Sequence, residues 1–162
     1  MPFTVHRITG LNYGQDRRDV AFLDCPEEDA IDAREVFYDY LDEKRQVEMR
    51  NKFDYWKRGG RNDQWFHGFN EIAHRECFVF KWKAAGTYHR FYGFLTHPCP
   101  LTNARYELCI LVSHAKKNQP NTDPAELNFV NKTRANPHVT AAVKKEFPES
   151  PGGANAALYR QK

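Results

Sequence analysis

The sequence predicts an α+β fold: a small antiparallel twisted sheet of three to five strands, an N-terminal helical hairpin packed on one side, and a C-terminal helix. Three observations carry that expectation. Between Cys77 and Lys117, three short runs alternate apolar and polar residues, the period of half-buried strands. Met49, Phe53 and Trp56 recur at i, i+4 and i+7, one face of a helix. Asp123-Pro124-Ala125-Glu126 opens a further helix, with Asp as N-cap, Pro at N1 and Glu in the capping-box position.

The elements follow in order. Phe3–Ile8 alternates and reads as a strand; Val20–Cys25 reads as a second that stops at Pro26, and the two form a candidate hairpin. Pro26-Glu27-Glu28-Asp29 reads as a helix opening, giving a helical hairpin over about 27–42 and 44–58 that ends at Gly59-Gly60. Trp65-Phe66-His67-Gly68-Phe69 is aromatic enough to pack on the core, but its form is open. Strands are expected at about 76–83, 88–95 and 106–114, the first two joined by an Ala84-Ala85-Gly86 turn. The helix from Asp123 ends before Pro137, and Val139–Phe147 reads as a candidate short further helix. Residues 1–135 are expected to form one domain, with 136–162 a partly flexible extension.

Composition narrows the class. The chain has 162 residues with 12 Phe, 8 Tyr and 3 Trp, enough aromatic area for one sizeable core. No apolar run approaches the length needed to span a bilayer, and the N-terminus does not resemble a signal peptide, so a cytoplasmic protein without a membrane partner is expected. Cys25, Cys77, Cys99 and Cys109 show no zinc spacing and read as reduced, structural thiols; no metal or cofactor is expected. Charge is unevenly placed. Acids outnumber bases ten to three over 24–49, whereas bases outnumber acids six to one over 81–117. That pattern predicts an acidic helical side and a basic sheet side suited to a polyanion.

Strict alternation places Tyr88, Arg90 and Tyr92 on one strand face and His89 on the other; Lys81 and Lys83 share a face of their own strand. His89 therefore reads as a packing or surface residue. Trp82 reads first as core and second as a stacking platform for a base. The basic residues Lys81, Lys83, Arg90, Lys116 and Lys117 fall at strand positions or ends, an arrangement suited to RNA or phosphate.

Several segments resemble the RelE/ParE superfamily of toxin–antitoxin toxins, most closely its HigB-like, phage-derived RelE-like branch. The carrying segments are Glu76–Lys81, Tyr88–Phe94, Leu108–Pro120 with its Lys116-Lys117-Asn118-Gln119 run, and Asp123–Leu127. The resemblance covers roughly 19–135, with residues 1–18 an added strand. Ala115 stands where the branch has an aromatic residue, Lys81 or Lys83 where it has an arginine, and the 96–105 loop is longer.

The resemblance implies the toxin of a type II toxin–antitoxin system: an mRNA interferase, or endoribonuclease, acting on ribosome-bound mRNA, with a cognate antitoxin as partner, for which a helix-turn-helix protein is one form. The reaction needs no metal. A base takes the ribose 2′-OH proton, a cation stabilises the phosphoryl charge, and an acid protonates the leaving 5′-oxygen. The candidate catalytic residues are Arg90 as phosphate clamp, with Lys81, Lys83, Tyr88 and His114; Lys116, Lys117, Arg105, Tyr92 and Trp82 are candidate RNA contacts. Two alternatives stay open: a non-enzymatic ParE-like inhibitor of gyrase or another protein, and an RNA-binding module on a toxin fold.

Overall fold

A computed structural model describes residues 2–117 and 121–148. Among the described residues, six strands form one sheet in the order β1-β2-β6-β5-β4-β3. They are β1 (Thr4–Arg7), β2 (Arg18–Asp24), β3 (Phe66–Gly68), β4 (Cys77–Ala84), β5 (Thr87–Thr96) and β6 (Glu107–Lys117). The sheet exceeds the expected three to five strands and is mixed rather than antiparallel, because β2 runs parallel to β6. The β1–β2 hairpin and the β4–β5–β6 meander match the alternation-based reading. The strand that alternation missed is β3, only three residues long and too short to display a period.

Helices cover both faces. On the first face lie α1 (Ala33–Glu35), which continues as a π-helical turn over Val36–Tyr40, and α2 (Glu43–Lys57). Ala33, Phe37, Met49, Phe53 and Trp56 pack there against Phe22, Phe80, Phe91 and Leu111. On the second face lie α3 (Pro124–Ala135) and α4 (Pro137–Glu146), whose Leu127, Val130, Val139 and Val143 pack on Val79, Phe94, Ile110 and Val112. This corrects the expected hairpin: residues 26–32 form turns, and the first helix is short. Asp32 explains where it begins, since its carboxylate accepts the backbone N–H of His114 at 2.8 Å instead of sitting inside a helix. The continuous apolar run Leu108–Val112 fits a central strand buried on both sides.

Local chemistry sets the boundaries. Asp42 caps α2 by accepting from the Arg45 N–H at 2.8 Å, and Asp123 caps α3 by accepting from Ala125 at 2.9 Å. Glu126 forms an ion pair with Lys117 at 3.2 Å, tying the start of α3 to the end of β6. Asn136 ends α3 and caps α4 through the His138 N–H. A register shift between Tyr92 and Gly93 marks a bulge against β6. Gly93 is required there because a Cβ would run into the Ile110 carbonyl. The four cysteines are buried free thiols, as expected. No helix among the described residues is long and apolar enough to cross a membrane. Asn118 and Gln119 of the lysine-pair motif, and the tail from 149 onward, lie outside the described residues.

Candidate active site

Cross-strand pairing builds a polar face where β4, β5 and β6 reach the tip of the sheet. Lys81 stands directly opposite Arg90, and Arg90 opposite Ala115; Lys83 stands opposite Tyr88, and Tyr88 opposite Lys117. Directly opposed residues share a face, so Lys81, Lys83, Tyr88, Arg90 and Lys117 lie together on the second face. Four expected catalytic residues are thus gathered. Lys83 sits with its ammonium 5.1 Å from the Tyr88 ring centroid.

His67 joins them from β3. It pairs with Val79, which pairs in turn with Tyr92, so His67 occupies the same face at the sheet edge. Its Nδ1 lies 2.7 Å from the Gly68 carbonyl, which can only accept a hydrogen bond, so Nδ1 carries the proton and Nε2 offers a lone pair. Burial lowers the His67 pKa, and the Lys81 and Arg90 charges lower it further. The imidazole is therefore neutral at pH 7. Burial and then Arg90 also lower the Lys81 pKa, which makes its ammonium a better acid than an ordinary lysine. The Lys81 Nζ is held by the Asp63 carbonyl at 2.6 Å.

Arg90 differs from its expected part as a phosphate clamp. It is 4% exposed, and its guanidinium donates to the Asn121 carbonyl at 3.0 Å, beneath the segment that leads into α3. Its charge reaches Lys81 and His67, but its donors face the protein. Tyr92, an expected RNA contact, is fully buried, with its hydroxyl 3.1 Å from the Thr122 Oγ1.

The first face carries a separate aromatic stack. Trp82, His89 and His114 stack with ring centroids 5.0–5.6 Å apart, and His89 Nδ1 lies 3.0 Å from His114 Nε2. Burial lowers the His114 pKa to about 4, with help from His89 and Lys116; burial also lowers that of His89. His114 is therefore not brought to Arg90, and Trp82, 4% exposed, packs rather than presenting a ring to a base. Lys116 lies opposite His89, and hence on this first face, apart from Lys117. Arg105 lies at the far end of the sheet, in a cleft with the C-terminal end of α2.

Sequence reasoning missed His67 because β3 went unrecognised. The signal that could have found it was Phe66 and His67 differing in polarity beside a known strand edge. No family model matches the sequence, and neither a curated protein nor a solved structure matches it.

Proposed function

We propose that this protein is a metal-independent endoribonuclease of the toxin class its motifs suggest, acting on ribosome-bound mRNA and held in check by an antitoxin. The observation that carries the reading is the meeting of His67, Lys81 and Arg90 on one face, with Lys81 directly opposite Arg90. His67 Nε2 removes the proton from a ribose 2′-OH. The 2′-oxygen attacks the adjacent phosphorus, closing a 2′,3′-cyclic phosphate as the bond to the 5′-oxygen breaks. The Lys81 ammonium gives that oxygen its proton. Lys83, exposed, offers charge to a flanking phosphate, whereas Lys117 is held by Glu126. Arg90, buried, is a positioning residue: burial chiefly lowers the Lys81 and His67 pKa values, and the Arg90 charge adds to that lowering, as the second cause at Lys81 and a minor one at His67.

Brief induction in a bacterial host, followed by primer extension on abundant messages, tests the reading. Discrete new 5′ ends in the wild type, absent for Lys81→Met, are expected. Growth arrest without new ends would overturn it in favour of a protein target. The burial of Arg90 supports one other reading, an RNA-binding module without cleavage, since its guanidinium then does not reach the scissile phosphate. Salt-sensitive RNA binding with neither arrest nor new ends identifies that case.

A further inference from the structure

A concavity lies at the end of the sheet away from Lys83 and Lys117. It is a cleft of about 1000 Å³ bounded by residues 15–18, 56–63 and 104–107, and it meets the candidate active site at His67. Arg17, Arg58, Arg61 and Arg105 line it, and all four are exposed. Among the described residues none of the four forms an ion pair. Arg58 makes only a long hydrogen bond, 3.4 Å, to the Asp54 carbonyl.

The other cations of the cleft are already engaged. Arg18 pairs with Glu107 at 3.3 Å and covers the Trp56 ring at 4.7 Å; Lys57 is buried against Asp19 at 3.5 Å. Asp16 and Asp63 are the remaining carboxylates of the lining. Four guanidinium groups thus face two acids in one concavity, where low-dielectric walls concentrate a positive potential. Planar guanidinium donors match phosphate oxygens in pairs. The Gly59-Gly60 turn, with Gly59 at φ +88°, lets the chain reverse so that Arg58 and Arg61 reach the same cleft.

We propose that this cleft is a second binding site for phosphates of an RNA single strand, the same strand whose scissile linkage lies at the His67–Lys81 face. The choice of RNA rests on the endoribonuclease reading. A strand fits the site better than a free nucleotide. The indole and phenyl rings of the lining, Trp56, Phe66 and Phe78, are 2%, 4% and 7% exposed, so none of them is open to hold a lone base, and the accessible rings of the lining are the smaller imidazoles of His67 and His97. Outside, Tyr55 and Trp65 are 37% and 36% exposed and meet edge to face at 5.5 Å beside the 58–63 turn, where bases of a passing strand can stack. Arg90 lies within β5 and Thr96 at its C-terminal end, about 20 Å away along the strand, so an RNA gripped at both sites is held in register over its cleavage point.

The test is fluorescence anisotropy of the full chain with a labelled 2′-O-methyl oligouridylate of about twelve nucleotides, which lacks the attacking hydroxyl. Arg58→Gln/Arg61→Gln/Arg105→Gln is compared with wild type and with Lys132→Gln/Lys144→Gln/Lys145→Gln, an equal charge loss at exposed α3 and α4 positions. The arginine variant is expected to bind at least about tenfold more weakly near 0.1 M salt, and its salt slope to shrink by about two, at about 0.7 per phosphate contact. The lysine variant is expected to stay within about twofold of wild type, and uridine monophosphate to leave the oligomer bound. Equal losses in the two variants, no loss in either, or displacement by the mononucleotide would overturn the proposal. Binding here does not depend on chemistry. Absent cleavage with arginine-dependent binding faults the catalytic reading alone, and cleavage with arginine-independent binding faults the cleft alone.

Discussion

Lys81 lies directly across from Arg90 on neighbouring strands, two cations in one cross-strand pair. Like charges so opposed are destabilising. The fold tolerates them by giving each a backbone acceptor, the Asp63 carbonyl for Lys81 and the Asn121 carbonyl for Arg90.

Lys81→Met removes that repulsion. The variant is expected to be more stable than wild type by about 0.2–1 kcal/mol, read from urea midpoints, while RNA cleavage falls by about 100-fold or more, as befits loss of a proton-transfer group. A stability gain with activity intact would remove Lys81 from the chemistry.

The His89–His114 pair makes stability depend on pH. The His114 pKa is about 4 in the folded chain against an ordinary 6.5, chiefly through burial. The unfolded chain therefore binds the proton first as pH falls. The stability that this group contributes is fully present above about pH 6.5 and is lost progressively toward pH 4. Discounted for solvent screening at this half-buried site, the loss is on the order of 1–2 kcal/mol. His114→Phe keeps a ring against Trp82 and removes the titration. Denaturant melts at pH 7 and pH 5 should show a smaller difference for the variant than for wild type.

Lys57 and Asp19 form a buried ion pair at 3.5 Å, with Asp19 also accepting from the Tyr106 hydroxyl at 3.0 Å and the Gly14 N–H. Lys57 further donates to the Asn12 carbonyl. Lys57→Met strands the carboxylate and is expected to cost about 3–5 kcal/mol; adding Asp19→Asn should recover part of that loss. Additive effects in the double-variant cycle would contradict coupling between the two.

The sequence carried the meander and its faces well, because alternation over 77–117 is a local property of strands. It thereby placed Tyr88 with Arg90 and apart from His89, and Lys81 with Lys83, while the cross-strand register brought the two sets onto one face. Other features depend on partners distant in the chain. The parallel β2–β6 pairing joins residues almost ninety apart in sequence. The first helix begins late because Asp32 serves the backbone of His114. Arg90 is buried and bonded to the Asn121 carbonyl, which no period in β5 could announce. His67 stayed hidden for the opposite reason: its strand is too short to have a pattern.

The most direct test of the central claim is single-turnover cleavage of a synthetic RNA by the purified protein in excess chelator, with end-group analysis, for wild type, His67→Gln and Lys81→Met. The account predicts 2′,3′-cyclic phosphate and 5′-hydroxyl ends with the wild type, and losses of about 100-fold or more in each variant. RNA left intact by the wild type, or cut equally well by both variants, would contradict it.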